Sequence, residues 1–151
     1  TGFLCGVAPM ADKRTRARQL AMQALYQLDI QGEDAMVWLG RFFAEEEANQ
    51  QIRQLADNWA RQTWQNRQVC DELISACARR WRLDRLSPVD RAILRLGVYQ
   101  LRFCEDIPPR VAINESIELE KIYSSEQSPG FINGVLDAVF KKIKTTTQTT
   151  D

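Results

Sequence analysis

Apolar residues recur along this chain with the three- and four-residue spacing of α-helices, and no segment shows the alternation typical of a β-strand. The first predicted helix runs from about Asp12 to about Leu28 and stops near Gly32. Its apolar positions form one stripe that we expect to face a core. They are Ala17, Leu20, Ala21, Ala24, Leu25 and Leu28.

Three further amphipathic helices are predicted in the first half of the chain. The second helix covers residues 35–48, the third runs from Gln50 to about Gln62, and the fourth runs from Gln65 to Arg80. Each places its apolar residues on one face. The expected core-facing residues are Met36, Leu39, Phe42 and Phe43 in the second, Ile52, Leu55, Ala56 and Trp59 in the third, and Val69, Leu73, Ala76 and Cys77 in the fourth.

A serine–proline pair marks the start of the fifth predicted helix. Ser87 is suited to the N-cap and Pro88 to the first helical position, while Asp90 lies near the positive end of the helix dipole. The helix over residues 87–104 is apolar around most of its circumference. We therefore expect it to be the central and most buried element.

Two more helices complete an all-α, compact single domain of about seven helices over residues 12–144. The sixth runs from Val111 to about Tyr123, and the seventh follows a second serine–proline pair at residues 128–129 and ends at Lys144. The threonine-rich residues 145–151 are expected to be disordered. Residues 1–11 are expected to be an extension, either disordered or a cloning scar or upstream read-through, with a natural start near Met10.

Composition excludes several classes of function. The chain has 151 residues, with 20 basic and 20 acidic side chains, so only local charge asymmetry can attract an anion. It contains no histidine, and its four cysteines lack metal-ligand spacing, so no metal, cofactor or catalytic site is expected. The absence of a long apolar run or a signal peptide predicts a cytoplasmic protein without a membrane partner.

The strongest candidate site is the basic start of the first helix. Cations are unfavourable at a helix N-terminus by a few tenths of a kcal/mol each, so their density favours an anionic partner such as RNA phosphate. Gln23 and Tyr26 follow on the same helix and could bind or stack on an unpaired base, although a half-buried tyrosine is an equal alternative. An inward-folded tip paired with carboxylates would contradict this hypothesis. The candidate RNA-binding residues are Lys13, Arg14, Arg16, Arg18, Gln23 and Tyr26.

Two other features favour a structural interpretation. The arginines at positions 79, 80, 82 and 85 follow a predicted helix, where cations complement its negative end, with RNA contact as the second interpretation. Asn114 and Asn133 each interrupt an apolar helix face, and Gly134 follows inside a helix. We expect a close helix crossing at the glycine, with the asparagines bonding main-chain groups of the facing segment.

Four separated motifs resemble the NusB family of bacterial transcription antitermination factors. They are RTRARQLAMQALYQLD at residues 14–29, SPVDRAILRLGVYQL at 87–101, IPPRVAINESIELEKIY at 107–123 and SPGFINGVLDAV at 128–139. The resemblance covers the chain from about Lys13 to about Ile143, and the order and spacing of the motifs make it specific. Residues 33–66 carry little family signal.

The resemblance implies two packed helical bundles without catalytic activity. It implies binding to the boxA element of ribosomal RNA leader transcripts together with a small-subunit ribosomal protein, Nus factor E, and assembly with RNA polymerase and other Nus factors. The family's RNA-binding residues fall on Arg14, Arg16, Arg18 and Tyr26, and its ribosomal-protein surface is placed near Glu115 and Glu118. A homodimer is also possible for members of this family.

Two alternatives come from other classes of protein. The same fold occurs as the N-terminal RNA-binding domain of a ribosomal RNA cytosine methyltransferase, which would require a large cofactor-binding domain downstream. A purely structural, dimerising helical bundle would show no RNA binding, even with the ribosomal protein present.

Overall fold

A computed structural model describes residues 10–78, 82–125 and 128–149 of the chain. These residues form helices without any β-strand, which confirms the all-α class. The helices are α1 (Met10–Gln31), α2 (Leu39–Glu46), α3 (Gln50–Gln65), α4 (Arg67–Cys77), α5 (Pro88–Phe103), α6 (Pro109–Tyr123) and α7 (Pro129–Thr149), with 3₁₀-helices at Glu33–Trp38 and Leu83–Arg85. The predictions for residues 1–9, 79–81 and 150–151 lie outside the described residues.

The helix boundaries follow the local capping chemistry. Gly32 ends α1 with a φ of 86°, a left-handed conformation that favours glycine, and its N–H donates to the carbonyl of Leu28 at 2.8 Å. Ser87 caps α5 by accepting a hydrogen bond from the N–H of Asp90 at 3.1 Å, with Pro88 in the first turn. The predicted end of the first helix and start of the fifth are therefore confirmed.

The helices pack as two bundles that share α5. In the first bundle α1 packs against α2 and α3, and in the second α7 packs against α4 and α6. Helix α5 contacts α1, α3, α4, α6 and α7, and ten of its sixteen residues are buried, as expected for the central element. The entire predicted stripe of α1 is also buried, at 1% exposure or less.

A glycine permits a close helix contact in α5 and not in α7. A Cβ atom built on Gly97 would lie 2.8 Å from Ser116 Oγ and 3.1 Å from a Leu136 methyl carbon, so glycine lets α5 contact α6 and α7 here. The prediction of a close crossing at Gly134 is wrong, because a Cβ there would meet nothing within 4 Å. Asn114 and Asn133 are exposed and bond no main-chain group among the described residues.

Helix α4 buries only part of the predicted face, where Leu73 and Cys77 are half-buried and pack against the core. Cys70 and Ile74 are buried, whereas Val69 is 39% exposed and Ala76 is exposed. The fully buried residues each follow a predicted one by one position, because this helix is short and its apolar positions fit two registers. It ends at Cys77, with Ala78 as its C-cap.

The last helix continues beyond its predicted end at Lys144 to Thr149. The hydroxyls of Thr145 and Thr146 donate to the carbonyls of Lys141 and Lys142, at 2.9 and 3.0 Å. These bonds pair the threonine hydroxyls with carbonyls of the preceding turn. The expectation that residues 145–151 are disordered stays a prediction. No helix in the described parts of the chain has the length and apolar character needed to cross a membrane.

A partly buried ionic network connects the two bundles. Arg95 of α5 donates to both carboxylate oxygens of Asp71 in α4, at 2.8 and 2.9 Å, and to Asp29 of α1 at 3.1 Å. Arg91 also donates to Asp29, at 2.5 Å. Burial lowers the pKa of Arg95, but the hydrogen bonds and charges of Asp71 and Asp29 together outweigh it, so the pKa is raised. These arginines are held inside the fold, which fixes α1 and α4 against α5.

Candidate nucleic-acid interface

The basic tip of α1, defined as Lys13, Arg14, Arg16 and Arg18, points in more than one direction. The side chains of Arg14 and Arg16 are 31% and 32% exposed, whereas that of Arg18 is 3% exposed. Each of these arginines has a carboxylate partner. The tip is therefore less free than the sequence pattern indicates, and its members differ in how accessible they are to an anion.

Arg18 is buried in the core and does not face solvent. Its Nε donates to Gln100 Oε1 at 3.1 Å, its Nη1 donates to Glu115 at 3.2 Å, and its guanidinium lies 5.1 Å from the ring centroid of Trp59. Burial lowers the pKa of Arg18, and the charge of Glu115 acts in the opposite direction. The expected direct contact of Arg18 with RNA does not fit this position, because the guanidinium already joins α1 to α3, α5 and α6.

Arg14 and Arg16 lie at the surface and differ in the number of groups to which each is bonded. Arg14 donates to Asp106 at 3.0 Å, and that carboxylate is 69% exposed. Arg16 donates to Glu47 at 3.2 Å and also to the Glu46 carbonyl at 3.2 Å. An exposed ion pair contributes about 0–1 kcal/mol, so a phosphate can replace Asp106 at little cost.

Lys13 completes the accessible part of the tip. Its Nζ donates to Gln51 Oε1 of α3 at 2.8 Å, and it has no carboxylate partner among the described residues. A bond to a neutral amide leaves the ammonium charge available to an anion. We define the accessible tip as Lys13, Arg14 and Arg16.

The two glutamates expected at a protein interface have different environments. Glu115 accepts hydrogen bonds from Thr15 and Arg18, so the middle of α6 is bound to α1. Glu118 is 57% exposed and pairs with Lys121 at 3.3 Å. Glu118 is therefore accessible to a partner, whereas Glu115 stabilises the position of α1.

Gln23 and Tyr26 line a shallow cavity of about 270 Å³ between α1, α2, α5 and α6. The amide of Gln23 donates to the hydroxyl of Tyr123 at 3.2 Å. Tyr26 packs against the core and is half-buried. Both side chains lie further along α1 than the accessible tip, and Phe42 and Val89 add apolar surface to the same cavity.

The sequence pattern did not predict the acidic residues that pair with the basic tip. Asp106 and Glu47 carry no local signal, because they meet the tip only through the packing of α1 on the connections before α6 and α3. Of the predicted arginine run, Arg82 pairs with Asp84 at 3.2 Å and Arg85 ends a 3₁₀-helix. Within the described residues, no group of three potential metal ligands is close enough to hold an ion.

Comparison with known proteins gives the same assignment at three levels. The family model described as the NusB family matches residues 15–141. Transcription antitermination protein NusB of Syntrophus aciditrophicus is 42% identical over 87% of this chain and 81% of its own length, and that of Anaeromyxobacter dehalogenans is 47% identical over 86% and 92%. A crystal structure of antitermination factors NusB and NusE in complex with dsRNA matches with a TM-score of 0.77 and 29% identity, over 87% of this chain and 98% of that one. The chain therefore belongs to the NusB family.

Proposed function

We propose that the chain is a non-enzymatic, RNA-binding transcription antitermination factor. It binds the boxA element of ribosomal RNA leader transcripts together with the ribosomal protein Nus factor E. In the cytoplasm this complex joins RNA polymerase and other Nus factors. The observation that carries the proposal is the similarity of this fold to a NusB that was crystallised with NusE and dsRNA.

The accessible tip supplies the phosphate contacts in this proposal. Lys13 is bonded to a neutral amide, and Arg14 is paired with a solvent-exposed carboxylate. Arg16 belongs to the same end of α1. Arg18 acts as a positioning residue, since its bonds to Gln100 and Glu115 hold the first turns of α1 in place. Three phosphate contacts to a single strand predict a log–log salt slope of about −2.

Base contacts and protein contacts complete the proposed interface. Tyr26 and Gln23 are assigned to unpaired bases, since aromatic faces and amides are the groups that bind them. Glu118 and Glu115 are assigned to the edge of the ribosomal-protein surface, where the exposed Glu118 carboxylate is suited to a cationic partner. A Glu118→Lys variant should then weaken the complex with the ribosomal protein and leave the binding of RNA alone unchanged.

A titration of boxA RNA by fluorescence anisotropy, across a range of salt concentrations, tests the RNA site. Combined Lys13→Ala, Arg14→Ala and Arg16→Ala substitutions should abolish most of the affinity and flatten the salt slope. Arg41→Ala is the matched control, because Arg41 is 69% exposed and pairs with Glu45 on α2. Equal affinity of the triple variant and the Arg41 control would contradict the assignment.

The methyltransferase domain and the structural homodimer are the two alternatives to this function. The relatives described above are antitermination proteins matched over 81% and 92% of their own length, which disfavours the methyltransferase alternative. A structural homodimer predicts no RNA shift with or without the ribosomal protein. The same titration, repeated with that protein, distinguishes it from the proposed function.

A further inference from the structure

A groove between the start of α6 and the middle of α7 takes no part in the interface assigned above. Its volume is about 310 Å³, which suits a single planar ring system and not a helix. The floor is apolar and the rim is polar, the usual character of a small-ligand site. The groove is lined by Pro109, Arg110, Ile113, Asn114, Asn133, Asp137 and Phe140.

Two carboxamides face this groove from opposite helices. Asn114 belongs to α6 and Asn133 to α7, and both side chains are exposed. Neither forms a hydrogen bond with any other residue that the structure describes. Since each carboxamide has two N–H donors and an oxygen with two lone pairs, the groove presents a dense, unused set of hydrogen-bonding groups.

The charges and the floor of the groove favour a nucleotide. Arg110 is exposed and has no carboxylate partner in the described part of the chain, whereas Asp137 is already paired with Lys141 at 2.9 Å. The rim therefore has one free positive charge. Ile113 and the half-buried ring of Phe140 provide the apolar surface on which a base can stack.

The groove and the α1 tip both border the first half of α6. Glu115, the neighbour of Asn114 in sequence, accepts hydrogen bonds from Thr15 and Arg18. Asp106, in the connection that leads to Arg110, pairs with Arg14. The tip therefore contacts the same half of α6 that lines the groove.

We propose that this groove binds an unpaired adenine base of the same RNA strand. Asn114 and Asn133 contact the N6 and N7 edge and Arg110 contacts the adjoining phosphate. The proposal rests on the RNA-binding function proposed above and adds a base-selective site to it. Asparagine is suited to adenine because its amide can accept from N6 and donate to N7 at once.

The first test uses the full chain and adenosine 5′-monophosphate, without RNA. Side-chain carboxamide signals in a ¹⁵N–¹H NMR spectrum are assigned from the signals that disappear in Asn114→Ala and Asn133→Ala. Saturable shifts of both signals with adenosine 5′-monophosphate, and smaller shifts with cytidine 5′-monophosphate, support the proposal. Absent shifts, or equal shifts with both nucleotides, overturn it.

The second test measures affinity for a single-stranded boxA RNA by fluorescence anisotropy. The combined Asn114→Ala and Asn133→Ala variant should bind about ten- to a hundredfold more weakly, the loss expected for one bidentate base contact. Asn58→Ala is the matched control, because Asn58 is exposed on α3. Equal affinity of the double variant and the control overturns the proposal.

The two tests separate failure of the groove from failure of the proposed function. If the chain binds no RNA but the adenosine 5′-monophosphate shifts persist, the base site stands and the RNA function fails. If the double variant loses only its binding to the ribosomal protein and keeps the RNA affinity of the unmodified chain, the groove is a protein contact and the proposal is overturned.

Discussion

Replacing Arg18 by alanine should reduce stability far more than it reduces RNA binding. Breaking a fully buried ion pair costs about 3–5 kcal/mol, but Glu115 is 21% exposed and retains its bond from Thr15, which lowers that figure. Gln100 is 1% exposed and loses its donor, which costs about 1–3 kcal/mol. We expect a total of about 3 kcal/mol, or a fall in Tm of about 6–12 °C for a chain of this length.

Thermal unfolding followed by circular dichroism measures the change in Tm, and anisotropy well below the transition measures RNA affinity. The Arg18→Ala variant should have a lower Tm and should still bind RNA when it is folded. The triple variant of the accessible tip should behave in the opposite way, with a nearly unchanged Tm and lost affinity. An unchanged Tm for Arg18→Ala together with lost RNA affinity would refute the positioning role and restore Arg18 as a direct contact.

Two further predictions concern the packing of the core. Gly97→Ala should destabilise the chain by about 1–3 kcal/mol because the new Cβ would lie 2.8 Å from Ser116 Oγ, whereas Gly134→Ala, in open space, should stabilise it by about 0.5–1 kcal/mol. Urea unfolding measures the free energy of unfolding of both variants, and an equal change in the two would contradict the assigned contacts. Burial raises the pKa of Cys70 from 9.0 to about 12, so the folded state retains this proton and loses stability as pH rises across that interval. Urea unfolding at a series of pH values should show that Cys70→Ala loses less of its free energy of unfolding than the unmodified chain. Parallel plots of this free energy against pH for the two proteins would exclude the effect.

The parts of the fold that local chemistry determines were predictable from the sequence. The buried stripe of α1 follows from the spacing of its apolar residues, and the start of α5 follows from Ser87 and Pro88. The family assignment was also predictable, because its four motifs keep their order along the chain, and the family model now confirms it. The core-facing residues of helix α4 were predicted only in part, because a short helix provides too few positions to determine its buried face.

The parts of the site that depend on distant residues were not predictable. Arg18 has the same sequence context as Arg14 and Arg16, but its partners Gln100 and Glu115 lie 82 and 97 residues further along the chain. Only tertiary packing turns this side chain inward. The exposed positions of Asn114 and Asn133 were missed for a similar reason, since an interruption of an apolar face is compatible with a helix crossing or with the rim of a groove.

Because α5 completes the cores of both bundles, the chain cannot be divided into two autonomous halves. A fragment that ends after α3 lacks the helix that covers α1, and a fragment that begins at α4 retains α5 with its α1-facing side uncovered. Co-expression of these two pieces should restore a native-like heterodimer. Complementation between the fragments could then serve as a reporter of folding in cells.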